Sequence, residues 1–452
     1  MSGDLYSTER MTLPDRESVS RRTYLKTAVA VGGSVGLTAC VGELTTTEPQ
    51  SDGETDAQRV PTGDRDSLPD RQHAWNGYLS QDAHGNYEPP AHHVLRYLSI
   101  ADSVALDSAR EQFETALTDL ESAFAWSSDG LLFTVGYSPR YFTQFDEQPA
   151  LPESVEFPEP TALTDLESPT FDTYELVIHF ASDRPDALLA AEEALFGSQE
   201  TVNGREITAI SDLFDEAESD RRTGFVGAGL PAENQDVEGI PSGNPVPEDA
   251  PLFMGFRSGF ERTQATEDRV TIEAGPFAGG TTQHISKLQL QLNAWWNQEN
   301  HFQRVAKMFS PRHATEERVG DVGEKLTTDS GLAAEDVSNL LKQARDDGVV
   351  GHAQKTARAR EDGRPVILRR DFDTTDDDHA GLHFVSLQRS VSDFAKTRAA
   401  MTGTDIADES GIGPRVNNGI MQYIFVRNRG NFLIPPRSRR SFPTANPEAN
   451  ET

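Results

Sequence analysis

The sequence predicts an α+β chain built as two ferredoxin-like modules packed as one unit. Two observations carry this. From about residue 72, apolar runs and amphipathic stretches follow one another as β-α-β, a loop, then β-α-β, the order of a ferredoxin-like module. Residues 228–251 then hold Gly, Pro, Asn and acids, a connector, and a second series of strands and helices of the same kind follows. A chain of 452 residues has ample sequence to bury a core in each.

In chain order, residues 20–26 read Ser-Arg-Arg-Thr-Tyr-Leu-Lys, and an apolar, Gly-rich stretch leads to Leu37-Thr38-Ala39-Cys40. The stretch from Thr27 to Val41 is short for a membrane span, which takes roughly 20 residues. Paired arginines, a short apolar region and L-T-A-C together read as a twin-arginine export signal ending in a lipobox over residues 1–40. Arg21 and Arg22 are then the export pair, and Cys40 carries the lipid. The expected location is the outer face of the cytoplasmic membrane, held by that lipid. Cys40 is the only cysteine, so no intramolecular disulfide can form. Residues 41–71, rich in Thr, Glu, Asp, Ser and Gly, read as a flexible acidic linker.

The first module is expected over 72–240. A strand is read at His93–Ile100. Phe113, Leu117, Leu120 and Phe124 recur at helical spacing and place a helix over Leu106–Phe124. Strands follow at Leu131–Tyr137 and Tyr174–Ala181, a helix at Pro185–Phe196, and a short strand near Ile207–Ile210. The second module is expected over 250–437. It has an alternating strand at Ile285–Leu292, helices at Asn297–Phe309 and Ala333–Ala344, and strands at Val366–Leu368 and Gly381–Gln388. A helix near Ser390–Ala400 and closing strands at Gln422–Val426 and Asn431–Ile434 complete it. The tail at 438–452 reads as disordered.

Charge narrows the partners. Acids outnumber bases 73 to 41, for a net charge of −32, and only 7 of the bases are Lys. Such a field repels nucleic acid and anionic lipid surfaces. A carboxylate-rich, Lys-poor surface suits very salty solvent, where repulsion is screened within about 3 Å at 1 M. A halophilic source is the reading. There is no phosphate-binding loop, dinucleotide fingerprint or nucleophile elbow.

One stretch carries a more specific signal. Gly351-His352 opens a segment that runs to Val366-Ile367-Leu368-Arg369-Arg370, and Gly381-Leu382-His383-Phe384-Val385 follows. A histidine after a glycine reads by itself as a loop residue. The His, the Arg pair 17 and 18 residues later and the GLxFVxxQ strand together resemble the haem-binding half of dye-decolourising (Dyp-type) peroxidases. Leu131–Phe145 also resembles a strand and turn of that family's first module.

The resemblance implies haem b as cofactor, peroxide as co-substrate, an unspecified reductant and an archaeal halophile as source. It makes His352 the axial iron ligand and Arg369, or its neighbour Arg370, the positive charge on the peroxide side. Phe384 and Gln422 join His352 and Arg370 around the cofactor. Two departures stand out. Gly255-Phe256-Arg257-Ser258-Gly259 puts Ser258 where the family has a proton-moving Asp, and a hydroxyl is a weak acid and base beside a carboxylate. Gln422 stands where a carboxylate takes the proximal imidazole's hydrogen bond, which should raise the iron potential. Haem binding is therefore better supported than fast peroxide chemistry. The alternative is a non-catalytic surface binding module on the same fold. Self-association as a homo-oligomer is open.

The other histidines read as weaker. His284 lies on an alternating strand as a packed or surface residue, and His313 and His383 lack partners in sequence. His92-His93 is an adjacent pair without a third ligand. Trp295-Trp296 reads as core, and the runs at Asp346-Asp347 and Asp376-Asp377-Asp378 as solvated loops.

Overall fold

The computed structural model describes residues 60–447. The export signal with Arg21, Arg22 and Cys40, and the linker up to residue 59, lie outside the described residues.

In the first module, β1 (His92–Ile100), α1 (Leu106–Ala123), β2 (Leu132–Tyr137), β3 (Leu176–Ser182), α2 (Pro185–Phe196) and β4 (Phe214–Phe225) follow in sequence. The sheet order is β4-β1-β3-β2, all antiparallel. First, second, third and fourth strands thus stand as 4-1-3-2, the ferredoxin-like order. Both faces of β2 and β3 are buried, which is why they read as continuous apolar runs. Phe113, Leu117 and Leu120 of α1 and Leu188, Ala191 and Leu195 of α2 pack against Phe133, Val135, Ile178 and Phe180.

The second module repeats the scheme with β5 (Thr281–Leu290), α3 (Leu292–Gln298), α4 (His301–Met308), α5 (His352–Thr356), β6 (Leu368–Arg369), β7 (Phe372–Thr374), β8 (Gly381–Gln388), α6 (Val391–Thr402) and β9 (Ile424–Ile434). Here β9-β5-β8-β7 again gives 4-1-3-2. Two narrow seams join the sheets, Asp373 opposite Phe225 and Leu433 opposite Tyr137. They close eight strands into a ring. Leu95, Tyr97 and Val177 from one module and Ile285, Phe372, Val385 and Phe432 from the other form a shared apolar cluster.

Several boundaries differ from the sequence expectation. The fourth strand of the first module is Phe214–Phe225, not Ile207–Ile210. Its first part, Asp215-Glu216-Ala217-Glu218, is exposed, so charge there is solvated. The expected helix Asn297–Phe309 is two helices, α3 and α4, because Asn300 and Gln303 exchange side-chain-to-backbone hydrogen bonds and start a new helix. The helix expected at Ala333–Ala344 also divides, at Asn339. The two closing strands are one strand, β9, with a bulge between Val426 and Asn428.

The tail is not disordered over residues 438–447. Phe442 is fully buried, its ring 4.8 Å from that of Phe113, and Arg440 pairs with Glu114 and Glu121. The expected linker likewise ends early, since Val60 and Leu68 pack on the first module's core.

Candidate functional site

The short helix α5 begins at His352, so this residue is not in a loop. Two glycines fix its place. A Cβ on Gly351 would sit 1.7 Å from the Phe309 carbonyl oxygen, and Gly419, at φ +61°, would place one 3.0 Å from the His352 nitrogen. The Gly419 amide donates to the Val350 carbonyl at 2.9 Å, tying the two segments together. The imidazole lines a cavity on the face of the second sheet opposite to the cluster shared by the two modules. Burial, with Lys355, Arg369 and Arg398 nearby, lowers its pKa to about 3, so it stays neutral, the form that binds a metal. Its Nδ1 is buried and has no hydrogen-bond partner.

Strand periodicity builds a second wall. Residues two apart share a face, and Arg369, Asp371 and Asp373 all line the cavity. Arg369 Nη1 donates to Ser258 Oγ at 2.9 Å. Ser286, Leu288 and Leu290 of β5, Leu382 and Phe384 of β8, and Ile424 and Val426 of β9 complete the sheet wall. The bulge after Val426 turns Arg429 to the same side. Phe394, Thr397, Arg398 and Met401 of α6, at helical spacing, close one flank. Arg398 and Arg429 are both held by Glu167, at 3.0 and 2.9 Å.

The cavity holds about 220 Å³. A cleft of about 850 Å³ shares Leu252, Arg257, Ser258, Gly259, Arg369 and Asp371 with it. The two together are on the scale of small-molecule sites, roughly 300–1,000 Å³. Burial raises Asp371 to about 6 against the opposing pull of Arg369. Asp373, fully buried, is pushed well above the carboxylate range by burial.

Of the residues expected at the site, the fold brings His352, Ser258, Arg369 and Phe384 to one cavity. Arg370 is corrected: it points to the other face of the strand. There it donates to the His73 carbonyl at 2.8 Å and to Glu267 at 3.1 Å, with its guanidinium 4.2 Å from the Trp75 ring centre. Gln422 is corrected too: it does not line the cavity, and its Oε1 is buried without a partner, as is His352 Nδ1. No hydrogen bond joins them. His284 is packed, stacked 3.5 Å from Phe394 and bound to Asn431 and Ser286. His93 pairs with His179 at 3.0 Å, and no group of three or more His, Cys, Asp or Glu is placed to hold a metal among the described residues. Sequence reading missed Asp371 and Asp373, whose signal was their place two and four residues after Arg369. It also missed Arg398 and Arg429.

Among solved structures, this chain is similar to a dye-decolorizing protein from V. cholerae, at 15% identity and a TM-score of 0.46, over 81% of this chain and 98% of that one. It is similar to a dye-decolorizing peroxidase from Bacteroides thetaiotaomicron at 14% and 0.48, over 81% and 98%. DyPB from Rhodococcus jostii RHA1 gives 14% and 0.47, over 79% and 96%. Identities this low and TM-scores under 0.5 leave the chemistry to this chain's own residues. No curated protein matches. The model of a family of unknown function, DUF7405, matches residues 90–436. The chain is a member of that family, DUF7405.

Proposed function

We propose that this protein binds haem b in the cavity between α5 and the second sheet and reacts there with hydrogen peroxide. The observation that carries the reading is a neutral imidazole with no hydrogen-bond partner at Nδ1, lining a largely apolar cavity that Arg369 also lines. That donor set fits haem. His352 would hold the iron, Phe384 and the leucines of β5 would cover the macrocycle, and Arg360, Arg398 and Arg429 would offset its carboxylates. Bound haem supplies the redox chemistry.

The residues supply the rest. Arg369, fixed by Ser258, offers charge to a peroxide whose O–O bond is breaking. The apolar walls exclude water. No acceptor takes the His352 Nδ1 proton, so the imidazole gains little anionic character, which favours a raised iron potential.

Arg21-Arg22 and Leu37-Thr38-Ala39-Cys40 support export by the twin-arginine route and anchoring by lipid, and the acidic, Lys-poor composition supports a halophilic source. Changing Arg21 and Arg22 to Lys retains the precursor inside the cell, and Cys40→Ser releases protein from the membrane fraction; unchanged fractionation in both variants refutes this part. For the site, purified protein titrated with haem gives a stoichiometric Soret band, and Arg369→Leu keeps it while losing about 10²-fold or more in peroxide reactivity. A protein that takes up no haem refutes the reading.

A further inference from the structure

Arg369 and Asp371 line both the cavity and the open cleft. Asp371 Oδ2 lies 3.9 Å from Arg369 Nη1, and its Oδ1 accepts the Val385 amide of β8 at 3.2 Å. One carboxylate oxygen is anchored on the sheet, and the other faces the guanidinium that also holds Ser258. Two carboxylates line the cavity, Asp371 and Asp373. Asp373 accepts the Phe253 amide at 2.5 Å, is fully buried and does not reach the cleft. Asp371 alone of the two stands where a small solute entering from solvent meets the arginine.

We propose that Asp371 is the proton-transfer group of this site, in the role that the Ser258 hydroxyl is too weak an acid and base to fill. The assignment rests on the haem reading above. The Asp371 carboxylate takes a proton from one oxygen of hydrogen peroxide and gives it to the other. The O–O bond breaks with its electron pair on the oxygen so protonated, which leaves as water, and Asp371 ends as it began. The two electrons consumed would be supplied through bound haem by a one-electron organic donor used twice. Over a full turnover, hydrogen peroxide, two protons and two electrons give two waters.

The groups facing Asp371 set its working range. Burial raises it and Arg369 opposes that, leaving it at about 6. Asp373, on the same strand face, is itself raised in part by Asp371. The carboxylate needed as base is thus the form present above about pH 6.

The test compares wild type, Asp371→Asn, Asp371→Glu and Ser258→Ala, each reconstituted with haem. Soret absorbance reads binding, and stopped-flow reaction with hydrogen peroxide from about pH 4 to about pH 8 reads proton transfer. Infrared absorption of protonated carboxyls in the haem-free proteins reads Asp371 directly. All four proteins are expected to show the same Soret band. The wild-type rate rises through a midpoint near pH 6. Asp371→Asn is slower by about 10²–10⁴-fold and lacks the midpoint. Asp371→Glu recovers part of the rate with a midpoint in the same window. Ser258→Ala loses up to about tenfold by freeing Arg369 but keeps the midpoint. The haem-free wild type shows a carboxyl component that titrates near pH 6 and is absent from Asp371→Asn. An Asp371→Asn protein with full Soret intensity and an unchanged rate and profile overturns the assignment, as does a wild type with no carboxyl titrating in that window. A wild type with no Soret band overturns the haem reading itself, and the assignment falls with it.

Discussion

Replacing Asp371 by Asn should change how stability depends on pH, even without haem. Burial raises the folded pKa from the ordinary 3.8 to about 6. The folded chain therefore holds this proton more tightly than the unfolded chain does. The stability Asp371 contributes is fully present below 3.8 and is lost as pH rises through about 6. A shift of about two units corresponds to roughly 3 kcal/mol at 1.36 kcal/mol per unit. Asn cannot ionise, and its carbonyl can still accept the Val385 amide, so the variant escapes that loss. Titrating groups away from Asp371 are present in both proteins and largely cancel in the comparison, whereas Asp373, raised in part by Asp371, shifts with it. The assay is urea unfolding of wild type and Asp371→Asn at a series of pH values in molar salt. The variant should gain roughly 2–2.5 kcal/mol of that relative to wild type between pH 4 and pH 7, with nearly all of the change complete by pH 7. A difference that stays constant across that range refutes the assignment of a buried, raised carboxylate at this position.

Three further outcomes follow from the packing. Arg370→Leu removes the ion pair to Glu267, whose carboxylate keeps the Trp75 and Asn76 amides, and should cost about 2 kcal/mol, read by urea unfolding, while leaving haem uptake unchanged because this side chain does not line the cavity. Phe442→Ala should cost about 3–5 kcal/mol, since the ring is fully buried against Phe113 and Phe214; a loss under 1 kcal/mol, typical of surface positions, contradicts the packed tail. The net charge of −32 predicts a melting temperature that climbs from low to molar salt as carboxylate repulsion is screened, and a flat profile contradicts the halophile reading.

What the sequence disclosed, and what it hid, has physical causes. Strand β8 and helix α2 have the boundaries expected of them, because an apolar run closed by turn residues, and a proline opening an apolar helix, are local signals. Strand β4 was hidden because it pairs with β1 along most of its length and meets the second module only at Phe225. Its exposed residues carry charge, and hydrophobic pattern is silent there.

At the site, motif spacing singled out His352, Ser258 and Arg369, and the fold places all three around one cavity. The choice between Arg369 and Arg370 was not made, although residues alternate across a strand and the buried Phe372 shares its face with Arg370. Asp371 was not singled out in the sequence, whereas in the fold it is one of two carboxylates on the cavity wall. Arg398 and Arg429 could not be placed, since their common partner, Glu167, is more than 230 residues away, and Arg429 faces inward through a bulge that pairing rules do not foresee.

The central claim is that His352 holds haem. Its most direct test is the absorption spectrum of wild type and His352→Ala, each purified without haem, incubated with one equivalent and passed through a desalting column. The account predicts a Soret band retained by wild type and lost, or replaced by a weakly held and differently ligated spectrum, in His352→Ala. A His352→Ala protein that keeps the wild-type haem spectrum contradicts it.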